Sequence, residues 1–295
     1  MSVKIHGVIP PVITSFKSNG EFDESAQREV IRFLTPNVNG FYPIGTYGSG
    51  PLMTLEERKR VAEVILDEVN GRVPVIVHVG SINTAQTVEL AKHAEQSGAD
   101  AVGAIPPYYY RYPDHDLLAH FRAVLDAVQI PVFVYNNPGL SNNPISVELL
   151  GELAQDGLAG LKDSSFDLMQ FYSYLNEIDR PDFIHIIGTE ALAAAAVHAG
   201  ARAIISGLAN VWPELMAKLW QALESNDGRA AGELQLRVLQ ARAVLKYAPT
   251  LVTCYDVLKM RDVNAGFPRR PYTPLDEGLK RRVRDEFHRL GLFAE

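Results

Sequence analysis

The chain has 295 residues, 47% hydrophobic and 21% charged, with a formal net charge of −7 and one cysteine, Cys254. A chain of this length and apolar content can bury a core without disulfides or metals, and a single cysteine excludes an intramolecular disulfide. The mild, evenly spread charge argues against nucleic acid or an anionic membrane as partner, and no apolar run reaches the roughly eighteen residues of a membrane helix. Met1–Pro10 enters a strand-like pattern without the apolar core of a signal peptide. Cys254 reads as a small buried residue on a helix, so the expected compartment is the cytoplasm.

Short apolar runs then alternate with longer amphipathic ones. In chain order the expected strand and helix pairs are Gly7–Ile13 with Glu24–Leu34, Gly40–Ile44 with Thr54–Val69, Val73–Val79 with Thr84–Ser97, and Ala101–Ile105 with Asp114–Val128. They continue as Pro131–Tyr135 with Val147–Gln155, Ala159–Lys162 with Leu168–Ile178, His185–Ile187 with Ala191–Ala199, and Ala203–Ser206 with Pro213–Ser225. The strand runs are brief, rich in Val, Ile and Ala, and apolar on both faces, which suits a buried parallel sheet. Thr54 followed by Glu57 predicts a capping box. Gly98, Gly157 and Gly200 recur between a helix and the next strand, where glycine ends a helix in the left-handed conformation. Loops leaving strands are the longer ones: Gly45–Met53, Pro106–Pro113 and Asn136–Ser146.

Eight such units in about 225 residues predict an α/β fold, a (β/α)8 TIM barrel over residues 1–225. Gly228–Tyr247, Pro249–Arg261 and a helix near Asp276–Leu290 are expected as extra C-terminal helices (226–295) packed on the barrel, within the same structural unit. Chemistry in such barrels sits at the C-terminal ends of the strands.

Lys162 ends the sixth expected strand in G-L-K-D. Burial lowers a lysine pKa, and a neutral amine can attack a carbonyl to form an imine; a rim ion pair with Asp163 is the competing reading. Tyr135 ends the fifth expected strand and is placed to move protons beside an imine, or to act as a rim aromatic. Gly45-Thr-Tyr-Gly-Ser-Gly50 offers backbone and hydroxyl donors to an anion, more in the manner of a carboxylate site than a phosphate loop. Tyr108–Tyr110, three adjacent aromatics in a loop, suggest an interface. His78 and His185 read as barrel-interior or rim histidines rather than metal ligands, no cluster has metal-ligand spacing, and no G-x-S-x-G elbow is present.

Taken together, G-T-Y-G near 45, P-Y-Y near 107, Y-N-N-P at 135–138, G-L-K-D-S at 160–164 and G-L-A-N at 207–210 resemble the dihydrodipicolinate synthase / N-acetylneuraminate lyase family of class I Schiff-base aldolases. The resemblance implies that Lys162 forms the Schiff base, Tyr135 shuttles protons, and Thr46 links Tyr135 to a second tyrosine reaching across a dimer interface. Tyr109 is matched to that tyrosine, with Tyr108 and Tyr110 as alternatives. Tyr47 stands where the family has Thr, leaving its backbone N–H to bind the carboxylate of a 2-oxo acid. Gly188, Ser206, Gly207, Asn137, Leu140 and Ser164 complete the implied substrate-binding set. A homo-oligomer, dimer or tetramer, is implied as well, with no metal or organic cofactor.

Leu140 stands where the synthases of the family carry a carboxylate-binding arginine, and Ser49 where G-T-T-G-E has its acid. G-T-Y-G-S-G-P, V-G-S at 79–81 and G-F-P-R-R-P at 266–271 look more like the 2-keto-3-deoxygluconate aldolase branch. The expected reaction is therefore retro-aldol cleavage of a 2-keto-3-deoxy sugar acid to pyruvate and an aldehyde. Asn136, Asn137, Ser141, Asn142 and Ser164 are the expected partners of its hydroxylated tail. A dihydrodipicolinate synthase, a keto-deoxy sugar acid dehydratase and a non-catalytic 2-oxo acid sensor are the alternatives.

Overall fold

The computed structural model describes residues 5–293, so the first four residues of the Met1–Pro10 stretch, together with Ala294 and Glu295, lie outside it. The described residues form, in order, β1 Gly7–Ile9, α1 Glu24–Leu34, α2 Leu55–Val69, β2 Ile76–His78, α3 Thr84–Gln96, β3 Ala101–Ala104, α4 Asp114–Leu125, β4 Val132–Asn136, α5 Pro138–Ser141 and α6 Val147–Gln155. They continue with β5 Gly160–Asp163, α7 Leu168–Glu177, β6 Ile184–Ile187, α8 Ala193–Ala199, β7 Ala203–Ile205, α9 Pro213–Glu224, α10 Gly228–Leu245, α11 Thr250–Met260 and α12 Glu277–Arg289.

All strands pair in parallel in the order β1-β7-β6-β5-β4-β3-β2. The expected second strand, Gly40–Ile44, is not regular and keeps one bridge, Phe41 with Val75. Its backbone is nevertheless bonded on both sides. The Asn39 N–H donates to the Val8 carbonyl at 2.8 Å and the Tyr42 N–H to Pro10 at 3.0 Å, beside β1. Toward β2, the Phe41 N–H donates to Pro74 at 2.9 Å, and the Phe41 carbonyl accepts from Ile76 at 2.9 Å. This segment fills the eighth position and closes the barrel. It is irregular because Pro43 has no N–H to donate and Ile44, at φ +64°, turns the chain out of the sheet. The first strand stops at Ile9 rather than Ile13 because Pro10 and Pro11 likewise remove ladder donors.

Strand side chains alternate between two cores. Ile9, Tyr42, Ile76, Ala101, Phe133, Ile186, Ala203 and Ile205 point into the barrel and fill it. The opposite faces join the helices in a larger outer core. The α2 capping box forms, with the Glu57 N–H donating to Thr54 Oγ1 at 3.2 Å and the Thr54 N–H to the Glu57 carboxylate at 2.8 Å. Gly98, Gly157 and Gly200 take φ of +87°, +101° and +126°, as their position after helices predicts.

The C-terminal helices share the outer core: Val238, Leu245, Leu258 and Phe287 belong to the same apolar cluster as Val8 and Leu161. Gln235 of α10 ties this layer to the loop after β6, donating to the Glu190 carbonyl and accepting from the Ala194 N–H, both at 2.9 Å. Cys254 is buried in α11. No helix among the described residues is long and apolar enough to cross a membrane.

Candidate active site

Lys162 and Tyr135 are cross-strand partners at the C-terminal ends of β5 and β4. Both point into the barrel and are almost wholly buried, Lys162 at 3% exposure. The alternation of the strand sends Asp163 the other way, where its carboxylate accepts from Asn136 Nδ2 at 2.7 Å and Ser165 Oγ at 2.8 Å. The rim ion pair between Lys162 and Asp163 therefore does not form. Lys162 Nζ instead lies 3.7 Å from the centre of the Tyr135 ring and 4.0 Å from that of Tyr42.

Burial depresses the Lys162 pKa, partly offset by the neighbouring Tyr135. Burial pushes the Tyr135 phenol up, but the Lys162 charge and hydrogen bonds with Thr46, Asn137 and Ser164 outweigh it and hold the phenol below its ordinary value. With both groups held below their ordinary values, the amine loses its proton more readily and the phenol ionises more readily, which suits the pair to acid–base chemistry. Asn137 Nδ2 donates to the Tyr135 hydroxyl at 2.8 Å, fixing its direction.

A cavity of about 110 Å³ opens over these groups, lined among others by Thr46, Tyr47, Tyr135, Asn137, Lys162, Ser164, Gly188, Glu190, Gly207 and Arg242. The structure thus brings most of the expected residues together. Gly188 is required for close packing: a Cβ there would lie 2.0 Å from Ser164 Oγ, which donates to the Gly188 carbonyl. In the loop after the closing segment, Cβ atoms at Gly48 and Gly50 would fall 2.6 Å from the Ile44 nitrogen and 2.0 Å from its carbonyl oxygen. These two glycines let the loop fold back on Ile44, and neither has positive φ. Close approach within the protein, not only to an anion, explains them.

Ser206, Asn136 and Ser141 are placed differently from expectation. Ser206 does not line the cavity; it is fully buried, and its hydroxyl donates to the Glu190 carboxylate at 2.9 Å. The Tyr47 side chain turns to the C-terminal helices, its hydroxyl 3.1 Å from Thr250 Oγ1 and its ring tip against Gly207. Asn136 spends its amide on Asp163, Tyr174 and the Ile145 N–H, and Ser141 bonds the backbone of Asn137 and Asn143, so neither is free for a ligand. Tyr109 and Tyr110 are 80% and 65% exposed and pack edge to face on each other. Tyr108 lines a second, more apolar cavity of about 290 Å³ with Leu140, His78 and Tyr272, which shares Thr46 and Tyr135 with the first.

His78 is an interior histidine, 6.0 Å ring to ring from Tyr135; burial, then Arg58 and Lys162, hold it neutral, well below its ordinary pKa. His185 packs outside the barrel against Phe171 and Phe183. No group of metal-ligating residues occurs among the described residues. A larger recess of about 590 Å³ lies around Ile5, Val132 and Ile184, at the opposite end of the barrel, and offers no lysine, tyrosine, histidine or cysteine.

Sequence reasoning missed Glu190, Arg242 and Tyr42. Arg242 of α10 reaches across to Glu190 at 2.8 Å, and both line the small cavity. A carboxylate three residues beyond the end of a buried strand was a signal available for Glu190. Arg242 carries no local signal.

The sequence profile described as the dihydrodipicolinate synthetase family matches residues 4–289. An uncharacterized DapA-like lyase of Halobacterium salinarum is 37% identical over 290 residues, 98% of this chain and 95% of its own. A 4-hydroxy-tetrahydrodipicolinate synthase of Methanopyrus kandleri is 33% identical over 299 residues, covering 100% and 99% of the two chains. Among solved structures, an Escherichia coli prophage protein of the dihydrodipicolinic acid synthase family, in complex with pyruvate, superposes with a TM-score of 0.94 at 28% identity, over 98% of this chain and 99% of its own.

Proposed function

The chain belongs to the dihydrodipicolinate synthetase family and is a Schiff-base lyase, and from that premise we propose that it cleaves a 2-keto-3-deoxy sugar acid to pyruvate and an aldehyde. The Lys162 amine adds to the C2 ketone and expels water, giving an imine that is cationic once protonated. The Tyr135 phenolate takes the C4 hydroxyl proton, the C3–C4 bond breaks, and its electrons pass into an enamine as the aldehyde leaves. Protonation at C3 and addition of water return pyruvate and the free amine. The N–H groups of Thr46 and Tyr47, which have no protein acceptor among the described residues, suit the C1 carboxylate.

The observation that carries the substrate class is the state of the cations around the site. Leu140 lines the larger cavity where an arginine would be needed for a second carboxylate, and Arg242 in the smaller one is neutralised by Glu190 at 2.8 Å. A paired guanidinium and carboxylate, with Asn137 and Ser164, offers donors and acceptors to hydroxyls but no net charge to an anion. Tyr109 fits a role supplied from a second copy of the chain, since it is exposed and lines neither of the two cavities.

The 4-hydroxy-tetrahydrodipicolinate synthase of Methanopyrus kandleri favours a second reading, condensation of pyruvate with aspartate semialdehyde. Cleavage of a panel of keto-deoxy sugar acids and condensation with the semialdehyde, measured side by side on one preparation, separate the two. Faster cleavage supports the aldolase; a faster semialdehyde reaction replaces it with the synthase; a product retaining every carbon indicates a dehydratase.

A further inference from the structure

We propose that Tyr42 is a catalytic residue whose ring face stabilises the iminium formed on Lys162. The Tyr42 and Tyr135 rings lie 6.0 Å apart and meet nearly edge to face, at 77°, and Lys162 Nζ sits in the corner between them, 4.0 and 3.7 Å from their centres. Tyr135 has a second task through its hydroxyl, which accepts from Asn137 Nδ2 at 2.8 Å. Tyr42 has no such task. It is fully buried in the barrel, and its hydroxyl has no hydrogen-bond partner among the described residues.

The position is built around the ring. The segment that carries Tyr42 is bonded to the barrel on both sides. Glycines stand where side chains would collide: a Cβ at Gly103 would lie 2.7 Å from the Tyr42 hydroxyl, and one at Gly45 would lie 3.1 Å from its ring.

An aromatic face suits the electrostatic problem of this reaction. The nitrogen must be neutral to attack, cationic as the iminium, and neutral again in the enamine. A carboxylate 4 Å away would favour the ammonium on the order of a thousandfold at the effective dielectric of a protein, and so suppress attack. A ring quadrupole attracts the cation more weakly and cannot take its proton. In a desolvated site it is strong enough to lower the barrier to forming the electron sink while leaving the amine able to lose its proton.

This inference rests on the imine assigned to Lys162, so the test keeps the two separate. Phenylalanine and a graded series of ring-fluorinated phenylalanines are placed at position 42, which weakens the ring's hold on a cation at nearly constant size. Tyr42→Leu serves as the aliphatic limit. Borohydride trapping with pyruvate and retro-aldol kcat are read across pH. Tyr42→Phe should stay within about twofold of the parent. Each added fluorine should lower trapping and kcat in step, by about tenfold at the end of the series, with KM little changed and the acid limb of the profile moved to lower pH. A flat series, with Lys162 trapped normally in the parent, overturns the role of Tyr42 alone. A loss in Tyr42→Phe as large as in Tyr42→Leu also overturns it, because the hydroxyl would then be the active part. No adduct on Lys162 in the parent instead removes the proposed function.

Discussion

Tyr135 and Lys162 are direct neighbours across β4 and β5, and the ammonium nitrogen of one lies 3.7 Å from the ring centre of the other. The register of a parallel sheet thus sets the distance between the amine and the phenol, and the loops need only direct the phenol's hydroxyl. Removing that hydroxyl should separate binding from bond cleavage. Tyr135→Phe should retain a trappable pyruvate imine, while kcat for cleavage falls about 10²–10⁴-fold, the usual worth of a positioned acid–base group. Trapping and pyruvate release on one preparation check this; equal loss of both would assign Tyr135 to imine formation itself.

The Glu190–Arg242 pair is expected to read the substrate tail. Arg242→Leu should raise KM for a keto-deoxy sugar acid about tenfold or more, yet leave trapping of pyruvate, which has no tail, near the parent level. Breaking a buried pair leaves the other charge uncompensated, at about 3–5 kcal/mol when fully buried; Arg242 keeps 17% side-chain exposure, so a smaller loss of stability is expected. Steady-state kinetics and urea unfolding distinguish the two effects.

Tyr47 and Gly207 should be coupled. A Cβ on residue 207 would lie 2.1 Å from the Tyr47 hydroxyl, which Thr250 holds at 3.1 Å. Gly207→Ala should cost about 1–3 kcal/mol, as overpacking does. In a Tyr47→Thr background the same change should cost little, because the ring tip it meets is gone. A double-mutant cycle in urea tests this, and additive costs would contradict it.

Burial depresses His120 and His185 to about 4 in the folded state, against an ordinary 6.5. The neutral rings are therefore favoured by folding. Their contribution is complete above about 6.5 and is lost as pH falls toward 4, where the unfolded chain binds more protons. Stability should rise with pH across that window, and His185→Gln should flatten the slope without changing its sign. Unfolding free energies at several pH values check this.

The parts of the site that were legible in the sequence are those carried by short local patterns. Lys162, Tyr135 and Thr46 each follow a buried apolar run, and a polar residue at that place declares itself because burial without a purpose is costly. The unit count and the C-terminal helices were legible for the same reason, through period and caps. The irregular second strand was less so, because two flanking ladders hold Phe41 and Tyr42 despite Pro43 and Ile44, and pairing of that kind is not written locally. Arg242 lies fifty-two residues from Glu190, on a helix whose pattern describes only its packing. The partners of the Tyr47 hydroxyl and the Ser206 hydroxyl, Thr250 and Glu190, lie on other elements, and nothing in the local pattern announced them.

The central claim is that Lys162 is the nucleophile, and borohydride reduction in the presence of pyruvate tests it most directly. Intact mass followed by peptide mapping should find one reduced pyruvate adduct per chain, on Lys162, absent from Lys162→Arg and present in Tyr135→Phe. An adduct on another lysine, or an unmodified chain at saturating pyruvate, would contradict the account.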